Sequence, residues 1–326
     1  MIGMRNLGRI SLAAILALAC TLPVLAQGGE NNAWQAIQDE RDARRRAELI
    51  ESFVSRYPNS PQRPTVDFML VDYYVANKDN AKIMQHAEGF RLTLPSADNP
   101  AKARIYTQAM IAAATLTNLP KTVEYGGYAL QADPNNLNVL MFLSANNLPD
   151  PAKALEYAQR ALTVPRPATM TEEQYASIQG RMHGVVANSL FAEQKFAEAN
   201  EHFVAVLKAN PKDHASHFRF GYGSVTLAAA KANEAQAANT ELIKLMTATP
   251  NDSAAVNATK EKMEAASKAA LTHRDEAVDA MAKAVAIGGQ FATQARQLLD
   301  SLYKNKTGSL DGEEEFIAQK KAELGL

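Results

Sequence analysis

The sequence predicts an all-α protein, an α-solenoid of stacked antiparallel helix hairpins. Three observations predict it. The composition is 47% hydrophobic but only 7% aromatic, rich in Ala and poor in Gly, a mixture that favours helix over sheet and suffices for a large core. Proline-closed amphipathic segments recur along the chain, and each is preceded by a second amphipathic segment. No stretch alternates apolar and polar residues as a half-buried strand would.

The chain opens with Arg5 and Arg9, followed by an apolar run from Ile10 to Ala26 that ends in small residues at Val24 and Ala26. This reads as a secretory leader over residues 1–26, cleaved before Gln27. The run is about 17 residues and contains Pro23, short for a membrane span, which needs about 20. Cys20 is the only cysteine and lies inside the leader, so the mature chain has no thiol for a disulfide, a metal or a nucleophile. "LALAC" has Ala17 where a lipobox carries Leu and continues into apolar "TLPVLA", so lipidation at Cys20 is the weaker reading. Membrane contact is expected only if Cys20 is lipidated or the leader is retained.

Formal charge is −1, and loss of the two leader arginines leaves 32 basic against 35 acidic residues, a net −3. That balance gives no electrostatic case for nucleic acid or an anionic membrane as partner.

Residues 27–62 read as N-terminal capping helices with Trp34 buried among them. In the array, 63–289, second helices close at Pro95, Pro134, Pro165, Pro211 and Pro250, with gaps of 39, 31, 46 and 39 residues. First helices are expected over 67–76, 103–115, 137–145, 180–192 and 215–230. One helix stripe repeats: Ala154, Ala158, Ala161 and Leu162; Ala199, Phe203, Val206 and Leu207; Ala238, Leu242, Leu245 and Met246. Beyond Pro250, helices are expected over 253–272, 275–287, 291–304 and 313–323, with Gly288 and Gly289 stopping one of them. Residues 290–326 read as C-terminal capping helices.

"HGVVANSLFAEQKFAEANEHFVAVLKANP", residues 183–211, carries a resemblance. It resembles the tetratricopeptide repeat, a 34-residue antiparallel helix pair with small residues where its helices touch. Ala187 takes the small position of the first helix, Phe196 the turn region, Ala199 and Phe203 the second helix, and Pro211 the close. The first-helix Trp of the family pattern is absent, the third unit is shortened around "NNLPDP", and the fifth carries extra residues through "TLAAAKANEAQ". The resemblance covers roughly residues 60–290 and implies a superhelix whose first helices line a concave face.

Catalytic motifs are missing: there is no G-x-S-x-G, H-E-x-x-H, Walker loop or dinucleotide-binding glycine pattern. The glycines of "FGYGS", 220–224, fall in helix register and read as close-packing positions. His214 and His217, three apart in "HASH", have the spacing of two metal ligands but no third beyond Asp213, and His217 falls where the repeat packs an interhelical side chain. No metal and no cofactor are expected. The mixed charges of 39–48 read as a solvated helix face, and the acids of "DGEEE", 311–315, as complements to a helix dipole.

The family register, carried over, turns Asp72, Arg104, Gln108, Arg181, Asn188, Arg219 and Tyr222 toward the concave face. Arg181 with Asn188, and Arg219 with Tyr222, would grip an acidic or C-terminal carboxylate group. This resembles, in part, the carboxylate clamp of some tetratricopeptide adaptors. The reading that follows is a non-enzymatic exported scaffold or adaptor that binds a protein or peptide partner. The alternatives are a membrane-attached envelope-assembly subunit and a small-ligand or metal-binding periplasmic protein.

Overall fold

The computed structural model describes residues 28–93, 99–145, 150–248 and 253–326. The leader with Cys20 and the prolines Pro95 and Pro250 lie outside the described residues. Contacts divide the chain into a first unit ending at Val139 and a second, Leu140–Leu326.

The first unit runs through α1 (28–39), α2 (Ala43–Arg56), α3 (Arg63–Ala76), α4 (Asn80–Thr93), α5 (Asn99–Thr115) and α6 (Leu119–Ala132), and α7 (Leu137–Ala145) crosses the division. The second continues with α8 (Pro151–Thr163), α9 (Glu172–Ala192), α10 (Phe196–Ala209), α11 (His214–Ala248), α12 (Ser253–Ile287), α13 (Ala292–Thr307) and α14 (Glu313–Glu323). No strand occurs among the described residues. In each unit a helix packs on its sequence neighbours, and first helices of adjacent hairpins also touch, α3 with α5 and α9 with α11. The fold is all-α and built of stacked antiparallel helix hairpins.

The prolines end helices as expected. A residue before proline is pushed out of the helical region. Tyr57, Asp133, Val164 and Asn210, each followed by Pro, are extended or nearly so at the ends of α2, α6, α8 and α10, with ψ of 63°, 92°, 125° and 85°. The turns inside the hairpins share one geometry. Lys78, Thr117 and Gln194 have φ of 56°, 55° and 61°, left-handed values that non-glycine residues rarely adopt. At each turn the next residue's amide reaches back five residues: Asp79 to the Tyr74 carbonyl, Asn118 to Ala113, Lys195 to Leu190. These are Schellman closures.

Small residues sit where helices touch. Ala187 on α9 and Ala199 on α10 are fully buried with Phe203, against Leu190, Phe191 and Phe220. Gly221 lets α12 approach α11, since a Cβ there would stand 3.0 Å from the Met281 methyl carbon. The glycines of 220–224 are packing positions. Trp34, expected to be buried, is half-buried and meets Phe53 of α2 at 6.5 Å between ring centroids.

The fifth hairpin is corrected. The chain does not turn near residue 230; α11 runs unbroken for 35 residues, and α12 likewise passes through 272–275. Each is about 52 Å long. "AAAKANEAQAA" is mostly alanine, the strongest helix former, with Lys231, Glu234 and Gln236 between, and holds neither glycine nor proline, so the helix continues through Asn233. The stripe of Ala238, Leu242 and Leu245 therefore lies along the seam with α12, while Met246 stays exposed. On α11 residues 228, 231, 235, 238, 242 and 245 are buried or half-buried, and on α12 residues 256, 259, 263, 266, 270, 273 and 277. Alternating steps of three and four are the repeat of a two-helix coil. Gly288 and Gly289, with φ of 84° and 94°, end α12, and α13 and α14 close on its last turns through Val278, Met281, Leu299 and Ile317.

Candidate functional site: an arginine-lined cavity in the second unit

A cavity of about 560 Å³ opens beside α9, lined by Ser177, Gly180, Arg181, Gly184 and Asn188 of that helix, by Val206, Ala209 and Asn210 at the end of α10, and by Asp213, Ser216 and Arg219. The space exists because α9 carries small residues on that face. A Cβ at Gly180 would stand 2.5 Å from that of Ala209, so α10 ends flush against bare α9 backbone there.

Arg181 is exposed, and its guanidinium lies 3.9 Å from the Met141 sulfur. Arg219 is half-buried, its guanidinium 5.6 Å from the centre of the Phe291 ring. Phe291 is itself stacked on Phe218 at 4.7 Å, so an aromatic platform supports the charge. Neither arginine has an ion-pair partner among the described residues. Asp213, the one acid in the lining, is spent on capping α11: its carboxylate accepts from the amides of Ala215 and Ser216 at 3.1 and 3.2 Å and from the Ser216 hydroxyl at 3.0 Å. Two guanidinium groups and the Asn188 amide thus face a half-polar hollow whose only carboxylate is occupied.

Within neither unit do the groove residues all share one place. Arg181, Asn188 and Arg219 share this cavity. Tyr222 does not line it: one turn beyond Arg219, it is drawn onto Phe191 and Phe196 at the α9–α10 turn, with centroids 5.8 and 6.1 Å away. In the first unit Asp72 pairs with Arg104, and the Arg104 guanidinium lies over Phe68 at 5.2 Å. Gln108 lines a separate hollow of about 270 Å³ with Val75, Ile83 and Ile111.

His214 and His217 are not brought together. His217 donates from Nε2 to the Pro211 carbonyl at 2.9 Å, and burial holds its pKa below the ordinary value. His214 faces Phe291 and Gly289. A different histidine pair does meet: the Nδ1 atoms of His183 on α9 and His202 on α10 are 2.8 Å apart. Nineteen residues separate them in sequence, and only the helix pairing reveals them. Met141 and Phe291, which flank the two arginines, lie outside the best-matching repeat and were equally invisible.

A second cavity, about 410 Å³, lies in the first unit among Glu51, Arg63, Tyr74, Lys82 and His86. Its charges are matched internally. Lys82 bonds Glu51 at 2.7 Å and, with Tyr74, holds that carboxylate below its usual range. Arg63 bonds the fully buried Asp67 at 3.3 Å, and His86 Nε2 lies 3.0 Å from the same carboxylate.

No family model matches the chain. No curated protein matches it either. Among solved structures it is similar to the C-terminal part of a TPR repeat-containing protein from Cytophaga hutchinsonii, at 11% identity over 89% of this chain and 98% of that one, with a TM-score of 0.38. So loose a likeness carries no argument, and the fold stands on the helices, turns and contacts described above. No helix among the described residues is long and apolar enough to cross a membrane.

Proposed function

We propose that the chain is an exported, non-enzymatic scaffold of the tetratricopeptide-repeat kind that holds a partner protein by an acidic or C-terminal carboxylate segment. One observation carries the reading: Arg181 and Arg219, on successive first helices and both free of acidic partners among the described residues, line one cavity with Asn188. A guanidinium fork matches a carboxylate, and a neutral amide beside it adds a donor without adding charge. The carboxylate supplies what Asp213 cannot, because that side chain already caps α11. Export is supported by the basic-then-apolar leader, and the bacterial periplasm is the compartment that a cysteine-free mature chain suits.

The test is fluorescence anisotropy with acidic peptides ending in a free carboxylate, each compared with its C-terminal amide. The free acid binds more tightly to the parent, and Arg181→Ala with Arg219→Ala lowers affinity by at least about tenfold, equivalent to about 1.4 kcal/mol. Equal affinity in parent and double variant removes the clamp. Intact mass of the exported protein tests the leader, with Gln27 expected as the first residue.

A further inference from the structure

We propose that His183 and His202 form a site for a borderline divalent cation, Zn²⁺, Ni²⁺ or Cu²⁺, that bridges α9 to α10. Their Nδ1 atoms face each other at 2.8 Å across the helix pair, with ring centroids 4.9 Å apart and tilted by 51°. Both rings are half-buried, so each is held by its surroundings yet keeps an open side. The helices that carry them are fixed by the fully buried contact of Ala187, Ala199 and Phe203. Imidazole is the ligand these ions share. No group of three or more His, Cys, Asp or Glu side chains gathers here among the described residues, so the two rings are fewer than the three or four protein ligands of an ordinary zinc site and water fills the remaining positions.

The chemistry balances without a change in net protonation. In the empty pair one ring donates its Nδ1 hydrogen to the other's lone pair. With the cation between them, both rings carry hydrogen on Nε2 and offer Nδ1, a tautomer change in one ring. Two nitrogens each about 2.0–2.1 Å from a tetrahedral ion stand about 3.3 Å apart, so the pair opens by about half an ångström. Side-chain torsions absorb that without moving the helices. Glu198, one turn before His202, and Glu201 beside it add negative potential on the His202 side.

The other four histidines are committed elsewhere. His217 bonds the Pro211 carbonyl, His214 packs on Phe291, His86 sits on Asp67, and His273 bonds Glu276 at 2.9 Å. The His183–His202 pair is the facing imidazole pair of the described residues.

The experiment is isothermal titration of the full mature chain with ZnCl₂ and NiCl₂ in a non-chelating buffer at pH 7.5, with light scattering before and after. His183→Gln and His202→Gln keep a neutral polar group between the helices, and circular dichroism checks that each stays folded. The expected result is one ion per chain at constant molecular mass, with affinity at least about tenfold weaker in either variant, the lower end of what loss of even an outer-sphere partner costs. His214→Ala binds as the parent does. No saturable binding in the parent, undiminished binding in the variants, or binding only with a doubling of mass each overturns the proposal.

Discussion

Ala187 on α9 and Ala199 on α10 pack into one buried cluster, each fully withdrawn from solvent. Their lack of bulk sets how near the two helices come, and the Phe203 ring fills the space beside them. Ala199→Leu adds three carbons to a filled contact and costs roughly 1–3 kcal/mol. Thermal melts of parent and variant measure it, at about 2–4 °C per kcal/mol for a domain of this size. An unchanged melting temperature would show that the α9–α10 contact is not close-packed.

Thr117 occupies the left-handed position of the α5–α6 turn, and its side chain is exposed. A β-branched residue there bears a steric penalty of roughly 1–2 kcal/mol that glycine escapes, less the entropy glycine loses on folding. Thr117→Gly is expected to stabilise the first unit by about 0.5–1 kcal/mol, whereas Thr117→Ala, which keeps a Cβ, should gain less than the glycine variant. Urea denaturation at constant slope reads the difference.

Acidification below about pH 6.5 is expected to weaken the second unit. Burial lowers the folded-state pKa of His217, against a raising contribution from its bond to Pro211; Lys283 lowers it further, and Asp279 and Asp213 raise it. A histidine with a depressed folded pKa contributes stability that is complete above its unfolded value near 6.5 and is lost as pH falls below it. Asp279 does not act near that pH. Burial would raise its pKa, but bonds from Lys283 and Lys320 outweigh that and hold it below the carboxylate range, so its contribution is lost only at lower pH. His217→Gln keeps a donor for the Pro211 carbonyl and cannot gain charge. Its melting temperature should fall less than the parent's between pH 7.5 and pH 5; an equal fall would assign the effect to other groups.

The sequence carried the repeating parts of this fold well, because local rules decide them. Proline sets where α6, α8 and α10 stop, and alanine marks where α9 and α10 touch. The failure at the fifth hairpin has a physical cause. A turn needs a residue that leaves the helix, and between Leu227 and Thr240 the run of alanines with Lys231, Glu234 and Gln236 favours staying in it strongly enough to carry Asn233 and Asn239 through. Periodicity also cannot say whether a stripe faces the helix before it or the helix after it, which is why Ala238 and Leu242 point to the wrong partner in the sequence. For the candidate site, the register carried over from the resembled repeat put Arg181, Asn188 and Arg219 on one face, and all three line one cavity. It could not foresee that Tyr222 would join the Phe191 and Phe196 rings, or that His183 would meet His202, since both depend on how separate helices come to rest.

The long α11–α12 pair has unequal support along its length. Asn200 of α10 reaches α11 at Ser224, and Lys306 of α13 reaches α12 at Asp275. Beyond those points the two helices lean chiefly on each other through a seam where only Ala238 and Ala266 are fully enclosed among the described residues. So thin an apolar seam makes that end the weakest cooperative segment of the second unit, able to unzip while the cavity-bearing helices hold. Its amide hydrogens would exchange with deuterium well before those of α9 and α10, and a protease would nick it first. A partner that gripped both helices there would close this zipper without reshaping the rest, turning a fraying arm into a rigid strut.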